Sequence, residues 1–277
     1  MEERVREVTL SDGGTMPMVG LGTWPMDDAE CEKVVAQGLE LGYRLVDTAY
    51  AYGNETGVGR GVAVSGIERQ DVFITTKFNA HSHSVQGVRA AWEESARKLG
   101  VDYIDLMLIH WPCPWLDKYV QAWEGLIAIQ QEGKVRHIGV SNFLPEHLEG
   151  IIEATGVVPV LNQMQINPRY QQAEARAYND SRGIHTQAWS PLGQGTGLLE
   201  LPVVVDVAAR TGGTPGQVVL AWDLALGMSA IPKSSDPVRM AQNLEAVDLV
   251  LDPADVELIS SIDASEPDIK HPKSFGH

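Results

Sequence analysis

Eight short runs of β-branched and aliphatic residues recur along this 277-residue chain, separated by amphipathic stretches long enough for helices. The runs cover residues 20–23, 44–48, 72–77, 103–110, 135–141, 160–163, 185–189 and 230–233. Most begin about 25–30 residues apart, the length of one βα unit. Continuous apolar runs such as IDLMLI and VFITT suit strands covered on both faces, as in a parallel sheet clothed by helices. Eight such units predict an α/β fold, a (β/α)8 TIM barrel formed as a single domain over residues 1–277. Helices are expected over residues 28–41, 85–99, 117–131, 145–154 and 172–181, with Asp28 and Asp117 as N-caps. Gly42, Gly100 and Gly133 stand where a helix needs a left-handed stop.

Two features lie outside the repeat. Residues 5–10 and 15–19 flank Ser11-Asp12-Gly13-Gly14, a hairpin signal, and such a hairpin can close the barrel floor. The stretch between Trp189 and Ala230 is too long for one loop and carries extra helices over 203–210 and 215–226. The rival architecture, a doubly wound open sheet, needs a glycine-rich G-x-G-x-x-G turn after its first strand. Here that strand runs into GTWPMDD, and the clusters at Gly57–Gly61 and Gly193–Gly197 have other spacings. The first of them falls inside a helix candidate, where close helix packing explains it better than phosphate binding.

In a barrel of this kind the active site lies at the C-terminal strand ends. Those ends deliver Asp47 with Tyr52 just beyond, then Lys77, His110, Ser141-Asn142, Asn162-Gln163, Trp189-Ser190 and Lys233-Ser234. A phenol ionises near pH 10, too high for easy proton exchange at neutrality, and a neighbouring ammonium lowers that value. Lys77 can supply the ammonium, Asp47 can hold it charged, and His110 can hydrogen-bond a substrate oxygen. This is a donor site suited to a carbonyl becoming an alkoxide.

The last strand end has different chemistry. Lys233 and Ser234 precede Asp236-Pro237, a helix start, and Arg239 lies on its first turn. Free amides, a lysine, a hydroxyl and an arginine make a phosphate site. The surrounding chain carries 21 basic and 37 acidic residues, a net charge of −16, so this local cationic cluster is the exception. The same surplus argues against a nucleic-acid partner, which needs a basic surface.

GYRLVDTAYAYGNETGVG (Gly42–Gly59), KVRHIGVSNF (Lys134–Phe143) and IPKSSDPVRMAQN (Ile231–Asn243) resemble the three signatures of the aldo-keto reductases. LIHWP (Leu108–Pro112) and QAWSPLGQG (Gln187–Gly195) extend the likeness over essentially the whole chain, and the short tail with Trp189 resembles the bacterial branch that includes 2,5-diketo-D-gluconate reductases. The resemblance implies NADPH-dependent (NADPH/NADP+) reduction of aldehydes or ketones on a barrel, by a monomer. It implies Tyr52 as general acid, with Asp47, Lys77 and His110 completing the tetrad. Ser141, Asn142 and Gln163 would hold the carboxamide, with Asp47 beside them, and Trp189 would stack on the nicotinamide. Gly22, Thr23 and Trp24 would line the nicotinamide end. Ser190, Pro191, Leu192, Gly193, Gln194 and Gly195 would cross the pyrophosphate. Ile231 and Pro232 lead into Lys233, Ser234, Ser235 and Arg239 at the 2′-phosphate, with Gln242 and Asn243 at the adenine. Two departures stand out: NQMQINP (Asn162–Pro168) where the family often reads N-Q-x-E-x-H-P, and Gln242 where Glu is common.

The aromatics Trp24, Phe78, Trp111 and Trp115 follow strands and are expected over the barrel mouth, with Trp24, Tyr52, Phe78, His110 and Trp111 contacting substrate. Trp92 and Trp123 sit on helical faces and are expected in the core. His81-Ser82-His83 offers two candidate metal ligands but no third and fourth at fitting geometry, so no metal is expected. Cys113 lacks the partners of a nucleophile, and with Cys31 the chain has two cysteines, too few for a disulfide framework. The charged opening MEERVREVTL has no export signal, and no run of eighteen apolar residues exists. A soluble cytoplasmic enzyme acting on a small carbonyl, such as an α-dicarbonyl or keto-sugar, is therefore expected. Two other classes remain at this stage: an NADPH-binding redox sensor or scaffold, and a barrel enzyme using His81, His83 and Asp105 on a metal.

Overall fold

The computed structural model of the chain describes residues 6–262 and 271–277. Strands β1 (Glu7–Thr9) and β2 (Thr15–Pro17) form an antiparallel hairpin, paired Glu7 to Pro17 and Thr9 to Thr15. Eight strands follow: β3 (Leu21–Gly22), β4 (Leu45–Asp47), β5 (Phe73–Phe78), β6 (Ile104–Ile109), β7 (Val135–Ser141), β8 (Leu161–Gln165), β9 (His185–Trp189) and β10 (Ser229–Ile231). They are parallel and neighbour one another in chain order. A parallel bridge between Val19 and Ala230 joins the two ends of the sheet. Gly20 N–H donates to the Ala230 carbonyl at 2.9 Å and Gly22 N–H to that of Pro232 at 3.1 Å. The sheet is thus closed into the expected (β/α)8 barrel.

Helices α1 (Asp28–Leu41), α2 (Glu55–Ser65), α3 (Val85–Leu99), α4 (Tyr119–Gln131), α5 (Pro145–Thr155) and α6 (Ala173–Ser181) alternate with the strands. Helices α7 (Pro202–Thr211) and α8 (Pro215–Ala225) fill the long segment before β10, and α9 (Pro237–Glu245) and α10 (Pro253–Ser260) follow it. No described helix is long and apolar enough to cross a membrane. Two expected caps move. Asp27, not Asp28, caps α1, its carboxylate accepting from Glu30 N–H at 2.8 Å, while Asp28 instead accepts from Gly57 N–H at 2.6 Å. Helix α4 begins after Lys118, because Asp117 lies in the left-handed region at φ 50° and ends a short 3-10 turn. Gly42 and Gly100 do end their helices left-handed, at φ 111° and 68°.

The hairpin plugs the barrel floor. Leu10 and Met16 pack with Leu45, Leu106, Leu108 and Leu161 in one buried cluster. Asp12 at the hairpin turn meets His137 Nδ1 of β7 at 2.6 Å. The glycines Gly57 and Gly59 on α2 serve packing: a Cβ at either would run into backbone atoms of Asp28 or Leu99. Trp123 is fully buried, and Trp92 packs partly buried against the same core.

Candidate active site

A parallel strand turns alternate residues to opposite faces, so inside the barrel each strand contributes one phase of its sequence. Leu45 and Asp47 share a phase on β4, Thr75 and Lys77 on β5, Leu106 and Leu108 on β6, and Leu161 and Gln163 on β8. Leu45, Leu106, Leu108 and Leu161 of this phase fill the lower barrel in one cluster, and Asp47, Lys77 and Gln163 follow toward its upper end. The opposite phase goes to the helix layer: Ile74 and Phe78, Met107 and Ile109, and Val140 all sit in the outer core. Asn162 is in that phase too, its amide donating to the Phe143 carbonyl at 2.9 Å.

At the top, Lys77 and Asp47 form a fully buried ion pair, Nζ to Oδ1 at 2.6 Å. Lys77 also donates to the Thr48 carbonyl at 2.9 Å. The second Asp47 oxygen accepts from Gln163 Nε2 at 2.7 Å, and the same amide nitrogen donates to Gln187 Oε1 at 2.8 Å. Lys77 Nζ stands 5.1 Å from the Tyr52 ring centre, and the Tyr52 and His110 rings meet edge-on at 5.8 Å. The sequence therefore named four residues that the fold brings into one cluster.

Charge in this cluster follows from desolvation. Burial pushes the Asp47 carboxyl up, while Lys77 and Gln163 pull it back. Burial works to lower Lys77, but Asp47 and Tyr52 outweigh it and hold the ammonium above its ordinary value. For Tyr52 burial again dominates: the phenol is raised, although the Lys77 ammonium acts to lower it. The expectation that Lys77 would bring the phenol below its ordinary value is thus reversed by desolvation. The phenol keeps its proton, which is the state a general acid needs.

Neighbouring loops hold the cluster in place. Tyr52 lies in a 3-10 turn closed by Gly53 at φ 69°, where a left-handed backbone is required. Asn54, which sequence reasoning missed, is buried and donates to the Thr23 and Met26 carbonyls at 3.2 and 2.9 Å. Thr48 donates to its side-chain oxygen at 2.7 Å. An asparagine directly after a glycine was the one available signal. Asn142 is itself left-handed at φ 61°, and its amide ties three elements together. Its nitrogen donates to the His110 carbonyl and to Ser141 Oγ, each at 3.0 Å, and its oxygen accepts from Trp189 Nε1 at 2.9 Å. Ser141 Oγ donates to the Gln163 carbonyl at 2.9 Å.

Above the cluster opens a cleft of about 670 Å³, a volume typical of small-molecule sites. Of the expected cofactor residues, Gly22, Thr23, Trp24, Asp47, Ser141, Asn142, Gln163, Trp189, Ser190, Pro191, Leu192, Gln194, Ile231, Pro232 and Lys233 line it, as do Tyr52, His110 and Trp111. Gly193 and Gly195 belong to the loop that borders it but do not line it, and Ser190 and Gln194 are left-handed at φ 52° and 45°. Ser234, Ser235, Arg239, Gln242 and Asn243 are outside the cleft lining, the first three at the start of α9 and the last two further along it. Asp236 caps that helix, accepting from Arg239 N–H at 3.0 Å, and Ser234 Oγ accepts from Asp236 N–H at 3.1 Å. Lys233 has Glu30 as a neighbour at 3.8 Å.

Three residues singled out from the sequence, Asp105 only for the rival metal class, lie away from the cleft. Phe78 is in the helix-facing phase and packs edge-on to His83 in the core, so it does not line the cleft. Trp115 is half exposed and outside the lining. Asp105 is at the far end of β6, held by Arg69 at 2.6 Å and Arg136 at 3.1 Å, remote from His81, whose ring meets Tyr50. Among the described residues no group of three or more His, Cys, Asp or Glu is placed to hold a metal. Conversely Pro25, Phe275 and His277 line the cleft without having been named individually, and Gln165, one of the departures in NQMQINP, lines it too.

The residues present fit a nicotinamide dinucleotide on the structure's own terms. The Gln163 amide nitrogen is committed to Asp47 and Gln187, which leaves its oxygen for an amide ligand. The cleft runs from that polar end past Trp189 to Lys233. A family model for the aldo/keto reductase family matches residues 14–264. An aldo-keto reductase of Mycolicibacterium smegmatis is 43% identical over 268 residues, covering 97% of both chains. A methylglyoxal reductase, DkgA of Escherichia coli, is 42% identical over 270 residues, covering 97% of this chain and 98% of the relative. Among solved structures, a Gox0644 variant in complex with NADPH superposes with a TM-score of 0.93 at 40% identity, covering 97% of each chain.

Proposed function

The chain belongs to the aldo/keto reductase family, and from that premise we propose that it reduces small aldehydes and ketones to alcohols with Tyr52 as proton donor. It is an NADP-dependent oxidoreductase, and its cofactor is NADPH. The observation that carries the proposal is the buried run from Gln163 through Asp47 to Lys77, ending beside Tyr52 at the cleft floor. Bound NADPH supplies the hydride. Ser141, Asn142 and Gln163 would hold its carboxamide, Trp189 would face its ring, and Lys233, Ser234, Ser235 and Arg239 would hold its 2′-phosphate.

Tyr52 gives its phenolic proton to the carbonyl oxygen as that oxygen becomes an alkoxide. Lys77 stabilises the phenolate left behind, and Asp47 keeps Lys77 charged and oriented. His110 hydrogen-bonds the same oxygen. α-Dicarbonyls head the substrate classes, supported by the likeness to a methylglyoxal reductase, with keto-sugars next.

Consumption of reduced cofactor tests this, with methylglyoxal, an aromatic aldehyde and a diketo-sugar acid offered to NADPH and NADH in parallel. Turnover with a strong NADPH preference is expected; failure to bind NADPH overturns the reading. Tyr52→Phe is expected to lower kcat by about 10²–10⁴-fold while NADPH still quenches protein fluorescence as in the parent. Unchanged turnover removes Tyr52 from the role.

A further inference from the structure

The described end of the chain, residues 271–277, is a strap across one side of the cleft, and each of its anchors is explicit. Lys273 pairs with Glu146 at the start of α5 at 2.7 Å. Ser274 and Phe275 N–H both return to the His271 carbonyl, at 3.0 and 2.9 Å, which turns the strap inward. Phe275 meets the Trp111 ring edge-on at 4.8 Å. Gly276 lies so close over Cys113 that a Cβ there would collide with its Sγ. The His277 carbonyl accepts from Ala80 N–H at 2.8 Å. The outcome is that the His277 imidazole stands perpendicular to that of His110, ring centres 4.8 Å apart, and lines the cleft.

We propose that His277 is a substrate-selecting residue. Its imidazole hydrogen-bonds an oxygen on the carbon next to the reacting carbonyl, so the enzyme favours vicinally oxygenated carbonyls, such as α-dicarbonyls and α-hydroxyaldehydes, over plain aldehydes of similar size. The inference rests on the carbonyl-reductase reading above. A carbonyl oxygen received by Tyr52 and His110 has its adjacent carbon one bond further from them. The His277 imidazole, 4.8 Å from that of His110, is then a polar group on the side where that carbon lies. Of the other walls, Pro25 and Phe275 carry no side-chain hydrogen-bonding group, while Trp24 and Trp111 offer only an indole N–H at one edge of a large ring. An oxygen turned toward Pro25, Phe275 or an indole face would lose its water without a partner, whereas one facing the imidazole edge keeps a hydrogen bond. A plain aldehyde places only carbon there and gains nothing from His277.

The test is kcat/KM for methylglyoxal and for propanal at saturating NADPH, in the parent enzyme and in His277→Phe and His277→Gln. The ratio of the two substrates is compared between enzymes, which cancels their difference in intrinsic reactivity. His277→Phe keeps the ring and the wall but removes the polar edge, and is expected to lower the methylglyoxal-to-propanal ratio by about tenfold, the effect of one hydrogen bond. His277→Gln, with a polar end of similar reach, is expected to retain most of the preference. An unchanged ratio in His277→Phe, an equal fall for both substrates, or a Gln variant no better than Phe overturns the inference while leaving the reductase reading intact. Absence of turnover with either substrate in the parent overturns the reductase reading itself.

Discussion

Two buried aspartates on barrel strands are paired with cations at opposite ends of the molecule. At the mouth, Asp47 and Lys77 are both removed from water, with 2% and 1% of their side chains exposed. At the base, Asp105 is 1% exposed, but its partners Arg69 and Arg136 keep 23% and 47% of their surface. Both guanidiniums lie on the Tyr103 ring, at 4.2 and 4.1 Å from its centre, and Asp105 also accepts from Ile74 N–H at 3.0 Å. Burying one ion and leaving its partners at the surface costs far less than burying both. The lower cluster fits a structural role, stitching β5 to β6 and β7. The upper pair is an expensive arrangement for stability, and the chemistry proposed for Tyr52 is a reason for it to exist.

The sharpest way to break this contrast is a double-mutant cycle at the mouth. Lys77→Met leaves Asp47 buried without its cation and is expected to lower stability by about 3–5 kcal/mol, together with nearly all turnover. Adding Asp47→Asn removes the stranded charge and is expected to restore much of the stability, read by urea unfolding, with no return of activity. Recovery of activity in the double variant would make the pair structural. At the base, Asp105→Asn is expected to cost roughly 2–4 kcal/mol with kcat per folded molecule unchanged, and Arg136→Ala, half exposed, under about 1 kcal/mol. A fall in kcat from either would erase the distinction.

A third aspartate sharpens it with a smaller effect. Asp223 on α8 is fully buried, neither carboxylate oxygen has a hydrogen-bond partner, and burial holds its carboxyl well above the usual range despite Arg176. In the unfolded chain it ionises near 3.8, so above that pH the native state carries the extra proton. Stability from this group is complete below pH 3.8 and falls as pH rises toward the folded value. Asp223→Asn should remove that slope, its advantage over the parent growing with pH in thermal unfolding. His83 and His185 act with opposite sign. Burial pushes each from 6.5 to about 4, so their contribution is lost as pH falls across that interval.

Much of this was legible because strand exits in a barrel are a regular address. The limits of β7 and β9 match the sequence reading residue for residue, and one phase of the strands carried Asp47 and Gln163 to a common cleft with Lys77 buried against Asp47. Phe78 was misplaced by neglect of that same alternation. It follows Lys77 directly, so if one faces the barrel interior the other must face the helices. The caps at Asp27 and Lys118 escaped because adjacent polar residues compete for one position and local pattern does not rank them. Phe275 and His277 reach the cleft through a strap whose path depends on Gly276, Glu146 and Ala80, contacts between segments far apart in sequence that no periodicity records.

The bridge between Val19 and Ala230 has a kinetic meaning. The first and last strands of the barrel meet there, and Gly22, Ile231 and Pro232 from the two sides of that seam line the same cleft. During synthesis the growing polypeptide has β3 long before β10, so the binding surface cannot be assembled piecemeal as the ribosome proceeds. It comes into being in one late event of high contact order, when the final βα unit docks. Until then the chain has neither a mouth to load nor a ligand to steady it.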